Sequence, residues 1–256
     1  AESEELRNCV LGSAALVGRE PELAALRSAL RDLRTGHGQL ILLAGESGIG
    51  KSRLVEELRA LALVDGVAVV SAQGRGDGAA DLGLFADALR TICMETPPPP
   101  LARSVLKGIA PDLPQLLDDD IPDPPAIDAQ AARQRLMTTI EETLRSIVQP
   151  TIFLVEDLHW AGPDSIAVLR QLSARLDGTP LLVVGSYRSD ERHGLPGELP
   201  RATVLPLGRL RREDIARLSA SILGDVRASD RLLDWLTAES EGNSFFITEV
   251  MRAVAE

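Results

Sequence analysis

The residues best suited to chemistry are Gly45, Gly50, Lys51 and Ser52, which stand in GESGIGKS at the spacing G-x-x-x-x-G-K-[ST]. Glycines there let the backbone curl until successive N–H groups point at one anion, and the start of a following helix adds its positive end. Glu46, Ser47, Gly48 and Ile49 complete the cradle, and Arg53 follows in the first helical turn. Lys51 would reach the β and γ phosphates of a nucleotide. Ser52 would place a hydroxyl on Mg²⁺, an ion that keeps most of its ligands as water and phosphate oxygen. Only two of the 27 basic residues are lysines, Lys51 and Lys107, so a lysine at this spacing is a rare event.

A phosphate site of this kind needs an acidic partner for the metal. The run TIFLVED, Thr151 to Asp157, supplies one: an apolar strand ending in two carboxylates. Strand ends in open α/β sheets face the ligand crevice. Glu156 is assigned to the metal, directly or through water, and Asp157 to orienting or deprotonating the attacking water, with the two roles exchangeable; the competing reading is that both acids only cap the strand. A second strand end, in VVGSYRSDE, puts Arg188 where a planar guanidinium could sense the γ phosphate. Its competing reading is a surface arginine paired with Asp190 or Glu191. His159 and Trp160 read as a packed, hydrogen-bonded turn rather than as a catalyst.

These groups need elements to position them. Pro21 suits a first helical turn, Leu23, Leu26, Leu30 and Leu33 recur at helical spacing, and Gly36 ends the pattern. Strands are expected at Gln39 to Ala44, Val67 to Ala72, Thr151 to Val155, Leu181 to Ser186 and Ala202 to Leu205. Helices are expected at Ser52 to about Leu63, from Leu84 to Glu95, at 126 to 149 and after Pro163. Gly74 to Gly83 reads as a mobile glycine loop, and the proline-rich and acidic stretches 97–100 and 117–125 bracket a short helical insert at 101–117. Continuous apolar strands alternating with helices argue for a mainly parallel five-stranded sheet sandwiched by helices, the α/β P-loop NTPase class. Beyond Leu207 only helices follow, at about 211–223, 229–240 and 244–255. The expected organisation is a lead-in at 1–16, a nucleotide-binding domain at 17–207, and a small C-terminal helical lid at 208–256.

Composition narrows the rest. With 256 residues, 45% hydrophobic and 25% charged, the chain is an ordinary folded protein that can bury its own core. No apolar run reaches the length of a bilayer span. A formal charge of −11 repels phosphate polymers, and neither a zinc spacing, a Ser/His/Asp arrangement nor a basic stripe interleaved with aromatics can be placed. Direct nucleic-acid binding and membrane association are therefore not expected. Cys9 and Cys93 lack metal or redox spacing, which makes a reducing cytoplasm the default. The chain begins with Ala and stops inside a helical pattern, so a fragment of a longer protein is expected.

The succession VGREPEL, LLAGESGIGKSRLVEEL, FLVEDLHWAGPDS, VVGSYRSDE, LPLGRL and EGNSFF resembles the nucleotide-binding module of STAND-type ATPases, in the bacterial AAA-like form. That form occurs in large LuxR-type activators, some multidomain adenylate cyclases and some kinase fusions. The resemblance covers about residues 16 to 255. It implies that Val17, Gly18 and Arg19 lie near the adenine of ATP or ADP. It also implies that the two nucleotides stabilise different arrangements of the lid, with hydrolysis as a slow timer read by other domains of the parent polypeptide and ATP-dependent self-association as a further property. Two positions depart from it: Gly162 where relatives usually carry Asp, and Ser244 where they usually carry Pro. Neither is expected to touch the phosphate site. The other readings are a non-hydrolysing nucleotide-dependent scaffold, an AAA+ motor or loader acting on DNA, and a metabolic kinase, the last lacking a recognisable acceptor site.

Overall fold

The computed structural model describes residues 16–75, 81–223 and 229–255. The lead-in expected at 1–16 therefore lies, apart from Leu16, outside the described residues, as does the centre of the glycine loop expected at 74–83. Among the described residues no helix is long and apolar enough to cross a membrane.

Five strands form one sheet: β1 (Gln39–Gly45), β2 (Ala68–Gln73), β3 (Thr151–Glu156), β4 (Leu181–Arg188) and β5 (Thr203–Pro206), in the order β2-β3-β4-β1-β5. Every pairing between these five strands is parallel. Apolar residues occupy both parities of the central strands because both faces are covered. Leu40, Leu42, Phe153, Val155, Leu181 and Val183 point to one side, while Ile41, Leu43, Ile152, Leu154, Leu182 and Val184 point to the other. The second face is closed by α1 (Glu20–Leu33) and α2 (Lys51–Val64) through Leu26, Leu30, Leu54 and Leu58. The first is closed by α3 (Ala86–Glu95), α4 (Pro100–Leu106), α5 (Leu113–Leu117), α6 (Ala129–Arg145) and α7 (Pro163–Ser173). A four-residue helix, α8 (Leu195–Glu198), precedes β5.

Several boundaries move for local reasons. The single insert expected at 101–117 is two short helices, interrupted where Gly108 and Pro111 stand between them. The helix expected from 126 begins at Ala129 because the Asp128 carboxylate accepts a hydrogen bond from the Ala131 N–H at 2.9 Å, an N-cap. The helix expected from Leu84 starts at Ala86, behind a 3₁₀ turn over Asp81–Phe85.

After β5 come α9 (Arg212–Leu223), α10 (Asp230–Ser240) and α11 (Ser244–Ala255). They pack on one another through Leu210, Ile215, Leu218, Leu233, Leu236, Ile247 and Met251, a cluster separate from both faces of the sheet. The segment entering this helical unit is pinned to the segment entering its last helix by the Leu210 N–H, which donates to the Gly242 carbonyl at 2.8 Å.

Candidate functional site

GESGIGKS joins β1 to α2 at the strand's C-terminal end, and the sheet order fixes what faces it. β4 lies beside β1, with Gly45 opposite Arg188, and β3 lies beyond β4, with Gln73 of β2 opposite Glu156. Strand order reverses on either side of β1, the place where open α/β sheets form a crevice. Loop, Arg188 and the paired acids thus share one edge of the sheet, as their positions at strand ends predict.

The loop turns through Gly48 and Gly50, at φ 73° and 104°, a region side chains avoid. Lys51 opens α2 with its ammonium folded against the loop, donating to the carbonyls of Gly45 and Glu46 at 2.8 Å each. Burial, and then the Arg188 charge, pull its pKa below the ordinary lysine value. Arg53 pairs with Glu57 one turn along α2.

Across the crevice Glu156 is half-buried at the end of β3. Burial, and then the neighbouring Asp157 charge, raise its pKa, while a hydrogen bond from the Ser52 side chain opposes them. Ser52 and Glu156, the two residues assigned to Mg²⁺, are thus near neighbours: a hydroxyl and a carboxylate, hard oxygen donors suited to this ion. Asp157 adopts a left-handed backbone at φ 57° and accepts from Gln73 Nε2 at 3.0 Å. Arg188 donates to Glu191 at 2.6 Å and stands 6.0 Å from the Trp160 ring centroid, so the Glu191 pairing weighed from sequence is the one present.

His159 is packed but not hydrogen-bonded as expected. Its side chain is 1% exposed, with Nδ1 at 3.9 Å from Asp157 Oδ1 and Nε2 at 3.5 Å from Glu191 Oε2. Neither nitrogen makes a hydrogen bond among the described residues, and the Asp157 carboxylate lies beyond hydrogen-bond distance of Nδ1. Burial lowers its pKa despite them, so the neutral imidazole prevails near pH 7.

Arg19 is buried and behaves as a strut. One guanidinium nitrogen donates to the carbonyl of Ile49 in the loop at 2.8 Å and to that of Gly208, on the way into the helical unit, at 2.7 Å. Burial lowers its pKa. Gly18, at φ 68°, lies against Asp214 and Leu210, and a Cβ there would come within 2.8 Å of the Asp214 carboxyl carbon. Gly18 and Arg19 thus sit where the loop and the helical unit meet.

The two departures have different meanings. The expectation that neither touches the phosphate site fails for Ser244, whose hydroxyl donates to the Gly48 carbonyl at 2.8 Å. Placing α11's first turn on the loop is what brings it there. At Gly162 a Cβ would lie 2.4–2.6 Å from the Asp81 carboxylate. Asp81 caps α7 instead, accepting from the N–H groups of Asp164 at 2.6 Å and Ser165 at 3.2 Å. The capping acid at this helix start comes from another part of the chain.

Gln73, Asp81, Arg209 and Asn243 were not singled out by sequence. Gln73 had a usable signal, its place at a strand end beside β3. Asp81 and Arg209 had none, since their partners lie far away in sequence.

Residues 15–184 match the AAA ATPase domain pattern, about two thirds of the chain. The chain belongs to the AAA ATPase domain family. No curated protein matches it in sequence. Solved structures of similar fold include AMPPCP-bound DnaA from Aquifex aeolicus, at TM-score 0.54 and 12% identity over 94% of this chain and 62% of that one. The Aeropyrum pernix ORC1 protein in complex with DNA gives 0.55 and 16%, over 94% and 60%. A RuvB variant from Thermotoga maritima gives 0.50 and 15%, over 93% and 62%. At such identities the likeness is one of fold: the AAA ATPase domain here is an α/β P-loop NTPase fold. The chain spans about three fifths of the length of these proteins.

Proposed function

We propose that this AAA ATPase domain is an ATP-binding, slowly hydrolysing regulatory switch of the STAND type, part of a larger cytoplasmic signalling or transcription-regulatory protein. In this reading residues 17–207 bind adenine nucleotide, 208–256 form the lid, and 1–16 lead in. The observation that carries it is the direct bonding of the phosphate loop to the helical unit, through which a change at the phosphates would be felt by the helices. Lys51 binds the β and γ phosphates, Ser52 and Glu156 would hold Mg²⁺, Asp157 orients or deprotonates water, and Arg188 answers to the γ phosphate once released from Glu191. When bound, Mg²⁺ would neutralise charge on the phosphate oxygens. Val17, Gly18 and Arg19 border the adenine. Partners are other domains of the parent chain and, on ATP binding, further copies of the domain.

A motor or loader acting on DNA has in its favour the DNA-bound ORC1 protein and the replication initiator DnaA, bound to AMPPCP and single-stranded DNA, among the similar folds. A net charge of −11 opposes direct DNA contact by this chain, and the switch is preferred.

Thermal melting with ATP, ADP and GTP, with and without Mg²⁺, tests the proposal, because a ligand that binds only the folded state raises its apparent stability. The expected result is stabilisation by ATP and ADP but not GTP, absent in Lys51→Ala. An unchanged melting temperature with every nucleotide would overturn it.

A further inference from the structure

Four consecutive residues of the phosphate loop are held from outside, each by the helical unit, its entry segment or the Arg19 strut. The Glu46 carboxylate accepts from Arg209 at 2.8 and 3.1 Å, and Arg209 also pairs with Glu241 at the end of α10. The Ser47 carbonyl accepts from Asn243 Nδ2 at 2.9 Å. The Gly48 carbonyl accepts twice, from Ser244 Oγ at 2.8 Å and from the Phe245 N–H at 2.9 Å. The Ile49 carbonyl is taken by Arg19.

The pattern has a geometric reason. A backbone whose N–H groups converge on an anion turns carbonyls the other way, and those carbonyls need donors. Here donors for two of them come from residues 196 positions away in sequence. Asn243 serves both units at once: its amide nitrogen holds the loop while its Oδ1 accepts from the N–H groups of Phe245 and Phe246 at 3.1 and 3.3 Å, capping α11. The approach is close enough that a Cβ at Gly48 would sit 2.8 Å from Asn243 Oδ1.

We infer that Asn243 and Ser244 are positioning residues for the phosphate loop: from the helical unit they hold its carbonyls outward, and so set the affinity of the loop for a polyphosphate. The inference rests on GESGIGKS being a phosphate site, and it adds that docking of the helical unit and polyphosphate binding are one linked equilibrium.

The test compares ADP with AMP, whose single phosphate makes less use of the loop, by calorimetric titration of the full chain. Ser244→Ala removes the hydroxyl alone. Asn243→Ser removes the amide donor but keeps a capping oxygen for α11, and Ser244→Thr keeps the hydroxyl. Each of the first two is expected to weaken ADP about three- to tenfold, the worth of one hydrogen bond. AMP should change far less, so the AMP-to-ADP ratio of Kd narrows, and Ser244→Thr should restore it. An unchanged ratio in both variants, whether affinities hold or fall together, overturns the positioning role. If the unmodified protein binds ADP no more tightly than Lys51→Ala, it is the phosphate-site reading that fails.

Discussion

The two sides of the crevice are built differently. On the loop side, the Glu46–Arg209 pair excepted, the polar work is done by backbone: Lys51, Asn243, Ser244, Arg19 and the Phe245 N–H all donate to main-chain carbonyls of residues 45–49. On the carboxylate side, side chains hold side chains: Asp157 takes Gln73, Arg188 takes Glu191, and His159 lies between the Asp157 and Glu191 carboxylates. A backbone cradle fixed by donors from the helical unit and Arg19 is preorganised for an anion, and only Lys51 must leave its two carbonyls to meet one. Side chains engaged with one another must exchange partners before they can meet a phosphate or a water. Under the proposed function, binding falls to the first region and turnover to the second.

The sharpest way to break this division is to take one residue from each side. Lys51→Ala should weaken ADP and ATP by on the order of 100-fold, since a charge-assisted contact to two phosphates is lost. Asp157→Asn should leave ADP affinity within about twofold while lowering single-turnover phosphate release by about 100-fold or more, the range for a positioned base. Titration and quenched-flow phosphate release read the two quantities separately. Should Asp157→Asn hydrolyse ATP as fast as the unchanged protein, Asp157 does not act on water.

Gly162 probes the carboxylate side through stability. An added Asp side chain would be driven into the Asp81 carboxylate, combining steric conflict with like-charge repulsion. Gly162→Asp should therefore cost about 2–3 kcal/mol of unfolding free energy. Adding Asp81→Ala should return part of that loss, because the new acid can then take over the cap of α7; strictly additive losses in denaturant unfolding would show that the two positions do not exchange roles.

How much of this was legible in sequence follows the same division. The loop announces itself, because backbone geometry demands glycines and a fixed spacing, and GESGIGKS carries both between a strand and a helix. Parallel strands covered on both faces appear as continuous apolar runs such as Leu40 to Ala44, so the layer order was readable, while end points set by single contacts, such as the Asp128 cap, were not. Pairings across long separations left no mark: Asp81 with α7, Arg209 with Glu46, and Ser244 with Gly48 join segments that sequence reading treats apart. The last explains why Ser244 was placed away from the phosphate site. A position in a helical lid has no sequence feature that reports which loop its first turn rests on.

The smallest effect expected is also a consequence of the carboxylate side's construction. Burial and the Asp157 charge raise the Glu156 pKa in the folded protein, so the fold binds a proton there more tightly than the unfolded chain does. At pH below the ordinary glutamate range both states hold the proton and Glu156 imposes no penalty. As pH rises through the ordinary value toward the raised folded one, the unfolded chain ionises first and the fold loses stability; above the raised value the whole penalty is present. Glu156→Gln removes the ionisation, so its melting temperature should exceed that of the unchanged protein by a few degrees at pH 7, with the gap closing as pH falls through the glutamate range. A gap that stays constant from pH 4 to pH 7 would mean that the glutamine stabilises by packing or hydrogen bonding to Ser52. A gap that closes as described would mean that this end of β3 keeps a carboxylate at the expense of stability, the pattern of a residue retained for what it binds.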